Sequence, residues 1–154
     1  MTPLPGTIPG TIYKLAVLID TGPLYALADP SDGRHIEANK CVREITRHRF
    51  PLFITNLVVA ECHRRVLHNL GSRRGLEFLA SIHDGRINIV CVERDDSRSA
   101  REILERHPDQ AISLTDATSL AVMARLGIVK AFSFDRHFDI LGFLRIPPIG
   151  NLLV

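Results

Sequence analysis

Apolar residues fall along this chain into short unbroken runs, separated by stretches where they recur every three or four positions; this is the alternation of buried strands with amphipathic helices. The first run, Leu15-Ala-Val-Leu-Ile19, ends in Asp-Thr-Gly-Pro, as a buried parallel strand does when it enters a turn. Residues 52–55, 87–92 and 131–134 predict three further strands, each with apolar character and a turn or cap signal close by. A last extended piece, residues 144–149, carries Pro147 and Pro148 and fits only an edge or a tail.

Between the strands the period changes. A helix is expected near residues 24–28, broken by Asp29-Pro-Ser-Asp-Gly33, and a polar, basic helix over residues 35–49 is stopped before Pro51. From Asn56, Val59, Cys62, Val66 and Leu70 keep helical spacing until Gly71 stops them. Ser72 is expected to cap a helix to about Ile82, and Asp95 or Asp96 one that ends at His107-Pro108. Leu114, Ala117, Leu120, Ala121 and Ala124 mark one face of a helix over residues 114–126, closed by Gly127. Residues 1–14, rich in Pro, Gly and Thr, read as a flexible leader ahead of one folded domain at residues 15–154.

With 154 residues, 45% of them apolar, the chain has the size and core of a single domain. Strand–helix alternation together with a core of Leu, Ile, Val and Ala gives the class as α/β, a mostly parallel sheet of four to five strands flanked by helices. A formal net charge of +2 announces no nucleic-acid binder, so a polyanion site must come from local clusters of arginine. Cys41, Cys62 and Cys91 form neither a C-x-x-C pair nor an even framework, which fits a reducing cytoplasm. No stretch approaches the roughly 20 apolar residues that span a bilayer, so no membrane association is expected.

In a parallel α/β sheet ligands gather at the carboxyl ends of the strands. Asp20 ends the first strand and Asp135 the fourth, Asp116 lies in the first turn of the helix before the fourth, and Glu61 lies on the helix leaving the second. Singly each has an ordinary explanation: Asp20 and Asp135 as caps or turn formers, Asp116 as an acid at a helix N-terminus with Ser113 as its capping partner, Glu61 as the partner of Arg64 or Arg65. Together at one rim they would repel one another unless a cation sat between them. An all-oxygen donor set suits Mg²⁺ or Mn²⁺ rather than Zn²⁺; His63 and His68, five apart, do not share a helical face and are read as structural or solvent-facing.

The segments VLIDTGPLYAL, ITNLVVAECHR, SLTDATSLAVMARLGI and AFSFDRHF resemble, in this order and spacing, the motifs of PIN-domain nucleases, in particular the VapC-type toxins of toxin–antitoxin pairs. The resemblance runs from about Leu15 to Phe143 and implies a PIN-like three-layer fold. It implies a metal-dependent endoribonuclease in which Asp20, Glu61, Asp116 and Asp135 hold one or two Mg²⁺ or Mn²⁺ ions, with Asp20 and Asp116 as principal ligands, Asp135 as a second and Glu61 as ligand or water-positioning group. It further implies an RNA substrate, a small antitoxin partner inserting near the acids, and a homodimer. Thr21 and Thr115 are expected to steady the site or touch phosphate; Arg64, Arg65, Arg73, Arg74 and Arg136, with Arg43, Arg47 and Arg49 behind them, form the basic surface.

Two other readings compete. A PIN-like module could keep its acids and act only through protein or RNA contacts. The opening Val-Leu-Ile-Asp20-Thr-Gly also resembles the start of haloacid-dehalogenase phosphatases, but Gly22 stands where that family has a second aspartate, leaving no acid to protonate a leaving group.

Overall fold

A computed structural model describes residues 12–146. Residues 1–11 of the expected leader and residues 147–149 of the last extended piece lie outside the described residues. Residues 12–14 differ from the flexible reading: they belong to a short helix, α1 (Ile12–Leu15), where the Tyr13 ring packs against Phe53 at 5.9 Å. Local composition favoured disorder there, and a tertiary aromatic contact overrides it.

Five parallel strands, β1 (Val17–Ile19), β2 (Leu52–Thr55), β3 (Ile87–Val90), β4 (Lys130–Phe132) and β5 (Leu144–Ile146), form one sheet in the order β3-β2-β1-β4-β5. The chain runs outward from β1 through β2 to β3, then crosses to the other side of β1 to add β4 and β5. The carboxyl ends of β1 and β4 therefore flank the point where the winding reverses, the usual ligand crevice of such sheets. Residues 144–146 of the proline-marked segment supply β5 at the edge of the sheet.

Alternate residues of the central strands point to opposite faces, and both faces are covered. Val17, Ile19, Ile54 and Phe132 pack with residues of α2 (Thr21–Ala28), α3 (His35–Arg47), α4 (Asn56–Leu70) and α5 (Ser72–Asp84). Leu18, Phe53 and Ala131 pack on the other side with α7 (Leu114–Leu126), which α6 (Arg94–Arg106) covers in turn. Helix, sheet and helix make the three layers expected. The short α8 (His137–Ile140) links β4 to β5. Among the described residues no helix is long and apolar enough to cross a membrane.

Two helix starts differ from expectation. Ser72 is the first residue of α5, after Gly71 at φ 88°, and makes no capping hydrogen bond. Helix α6 begins after Glu93 rather than at Asp95 or Asp96; Asp96 reaches back to accept the Glu93 N–H at 2.8 Å and is otherwise occupied by an arginine of α7. Gly127, left-handed at φ 71°, ends α7 as read, with the Ile128 N–H donating to the Met123 carbonyl at 2.9 Å.

Candidate active site at the strand ends

Asp20, Glu61, Asp116 and Asp135 line one open pocket of about 640 Å³, together with Thr21, Gly22, Arg65, Ser113, Phe134 and Arg136. Four distant chain segments thus bring their acids to the carboxyl end of the sheet.

Each acid is placed by ordinary local chemistry. Asp20 is the N-cap of α2: its Oδ1 accepts the Thr21 N–H at 2.7 Å, so the capping explanation and the pocket position are both true of it. Asp116 sits in the first turn of α7, where its N–H donates to Ser113 Oγ at 3.0 Å; the serine caps the helix and leaves the carboxylate of Asp116 facing the pocket. Asp135 follows β4 in a tight turn closed by the His137 N–H donating to its Oδ1 at 3.0 Å. Glu61 projects from the first half of α4, half-buried, while the neighbouring Arg65 guanidinium lies over the Tyr25 ring at 4.2 Å.

The electrostatics are those of an unneutralised anionic site. Burial pushes the Asp20 carboxyl up to about 7, and the Asp116 and Asp135 charges add to the rise against the opposing bonds from Ser133 and Thr21. Asp116 is raised as well, first by burial and then by the charges of Asp135 and Glu61. Carboxylates that resist ionisation when alone become good ligands once a cation supplies the missing positive charge.

Two residues enter that the sequence did not single out. Ser133, fully buried one step past β4, donates from Oγ to Asp20 Oδ2 at 2.8 Å and accepts the Asp135 N–H at 2.9 Å, so one hydroxyl ties two of the acids together. Its only signal was a lone hydroxyl in an apolar strand end, which needs a buried partner. His137 offers a ligand atom that lies, with one each from Asp116 and Asp135, in a group mutually within 4.8 Å. The donor set expected to be all oxygen therefore has a nitrogen at its edge, and the histidine concerned is neither His63 nor His68.

The remaining expected residues separate by position. Thr21 lines the pocket with its backbone N–H committed to Asp20 and its side chain buried. Arg136 is exposed at the rim. Arg64 and Thr115 lie in a neighbouring groove that shares Glu61, Arg65 and Ser113 with the pocket. Arg73 and Arg74 pair with Glu77 at 3.1 and 3.2 Å, Arg47 pairs with Glu44 at 3.5 Å, and Arg43 and Arg49 are exposed; none of these lines the pocket. Cys41, Cys62 and Cys91 are free thiols.

The family model of the PIN domain matches residues 17–144, which include all four acids and all five strands but the last two residues of β5. The chain belongs to the PIN-domain family. It is similar to the 23S rRNA-specific endonuclease VapC20 of Mycobacterium tuberculosis, 30% identical over 133 residues that cover 86% of this chain and 98% of that protein. The crystal structure of the same M. tuberculosis protein, described as a sarcin-ricin loop cleaving toxin, superposes with a TM-score of 0.77 at 28% identity, covering 86% of this PIN chain and all of that one. FitAcB of Neisseria gonorrhoeae shares the fold alone, at TM-score 0.61 and 13% identity over 86% of this chain and 97% of that one.

Proposed function

We propose that this PIN protein is a divalent-metal-dependent endoribonuclease and the toxin half of a toxin–antitoxin pair. The observation that carries the reading is the convergence of Asp20, Glu61, Asp116 and Asp135 on one pocket at the sheet's switch point, in a chain related along most of its length to an RNA-cleaving toxin. The donor chemistry fits Mg²⁺ or Mn²⁺: three aspartates and a glutamate in a pocket whose two most buried acids resist charging unaided.

Asp20 and Asp116 are the principal ligands, Asp135 is a second, and Glu61 either binds or orients water. When bound, one or two divalent ions supply a polarised phosphate oxygen and an activated water for in-line attack at phosphorus. The chain's own groups do the rest. Ser133 and the Thr21 N–H fix both oxygens of Asp20, so the carboxylate needs no rearrangement to receive its ligand. Arg65 and Arg136 stand at the pocket rim and Arg64 just beyond, where they would meet the phosphates on either side of the scissile one. A small antitoxin covers this same basic rim in the resting complex, and the active unit is a homodimer.

Purified protein incubated with total RNA and with 23S rRNA should cut in Mg²⁺ or Mn²⁺ and stop in excess EDTA; the relative's substrate makes 23S rRNA the first RNA to try. Cleavage that persists in EDTA would contradict the metal reading. An RNA-binding but non-cleaving protein would favour the module that acts by contact.

A further inference from the structure

We infer that His137 is itself a ligand of the divalent ion, which makes the site a mixed carboxylate–imidazole centre that selects Mn²⁺ over Mg²⁺. The inference rests on the reading that the acidic pocket holds a divalent cation. Among the described residues, Asp116, Asp135 and His137 are the group whose potential ligand atoms all lie within 4.8 Å of one another, the span that donors around a single ion occupy.

The second observation is a contact that does not close as a hydrogen bond. His137 Nδ1 lies 2.8 Å from Asp135 Oδ1, close enough for an ion pair, yet this buried nitrogen makes no hydrogen bond. A hydrogen bond weakens steeply with angle, so a short distance does not by itself make one. Asp135 Oδ1 meanwhile accepts the backbone N–H of His137 at 3.0 Å, so the turn already holds the two residues together without the imidazole. The nitrogen and the carboxylate oxygen thus stand side by side without bonding to each other. Two donors bound side by side at about 2.1 Å from one ion sit about 3 Å apart, which this arrangement matches.

The side chain is also built into place. It is 18% exposed at the start of α8, directly before the fully buried Phe138, which anchors the helix in the core. A nitrogen donor changes which ion is preferred. Mg²⁺ favours oxygen ligands and keeps its waters, whereas Mn²⁺ accepts carboxylates and gains more from an imidazole.

The test uses the full-length metal-free protein titrated with Mn²⁺ and read by pulsed electron paramagnetic resonance, which detects magnetic coupling to a bound nitrogen. Wild type should show nitrogen coupling that changes pattern when the protein is labelled with ¹⁵N-histidine and vanishes in His137→Gln. Calorimetry should find Mn²⁺ binding weakened by about tenfold or more in that variant, at least the effect of losing an outer-shell partner, with Mg²⁺ binding little changed. The labelling arm needs no variant, so misfolding of His137→Gln cannot mask the answer. Mn²⁺ that binds wild type, is lost in Asp116→Asn and shows no nitrogen coupling would overturn the role of His137 and leave the nuclease reading intact. Failure of wild type to bind Mn²⁺ at all would overturn both.

Discussion

Asp20 is the most deeply buried of the four acids. Buried and pushed up to about 7, it has a folded-state value above its unfolded value of 3.8, so the folded metal-free chain holds more protons than the unfolded one between those limits. Its contribution to stability is whole below about pH 4 and is lost as pH rises through about 7. Asp20→Asn should therefore abolish cleavage yet raise the metal-free melting temperature at pH 8 by a few degrees, roughly what 1 kcal/mol is worth in a chain of this size. Mn²⁺ should raise the melting temperature of wild type and not of the variant; a lower melting temperature for Asp20→Asn at pH 8 would mean the site is not under charge strain. Ser133→Ala removes the hydroxyl that serves Asp20 and Asp135, leaving buried polar groups short of partners at a cost of about 1–3 kcal/mol. We expect lower melting temperature and reduced cleavage together, measured by calorimetry and gel assay. Asp20 was legible because an acid closing an apolar run is conspicuous. Ser133 was not: its role follows from the β1–β4 register, in which Ile19 pairs with Phe132 and the next residues along face each other.

At the scale of elements, α7 carries Asp116 to the pocket, and Arg125 ties its far end to the start of α6. Arg125 of the last turn of α7 donates Nε to Asp96 Oδ1 at 2.8 Å and Nη2 to Oδ2 at 2.9 Å, with Glu93 at 3.4 Å, and Asp96 is almost wholly buried. Breaking such a pair leaves a buried charge uncompensated. Arg125→Ala should destabilise the protein by roughly 3 kcal/mol, a melting-temperature fall on the order of 5–10 °C, while cleavage well below the melting point persists because Asp116 keeps its Ser113 cap. Loss of cleavage without loss of stability would instead place Arg125 in the site. The helices themselves were readable from period, and α4 and α7 have the expected bounds. Their caps were read less well, because Asp96 looks like a cap locally and its partner stands 29 residues away, beyond any local pattern.

For the whole molecule, a mostly parallel sheet of four to five strands, with the last piece at an edge or in a tail, could be read from runs of apolar residues and two prolines, whereas the order β3-β2-β1-β4-β5 could not, since it depends on which faces the crossovers cover. That order is what makes the site: with β1 and β4 adjacent, Asp20 and Asp135 share a rim, and α4 and α7 bring Glu61 and Asp116 to it from opposite layers. His137 escaped notice because metal-ligand spacing in sequence points to pairs on one element, and here the imidazole joins acids from two others. The proposed activity of this rim is cleavage of RNA with a bound divalent ion. It is tested most directly by comparing wild type with Asp116→Asn on structured RNA in Mn²⁺ while following both proteins by thermal melting. Cleavage by wild type only, from two proteins equally well folded, is the expected result; equal cleavage by the folded variant, or none by a folded wild type whose melting temperature Mn²⁺ does not raise, would contradict it.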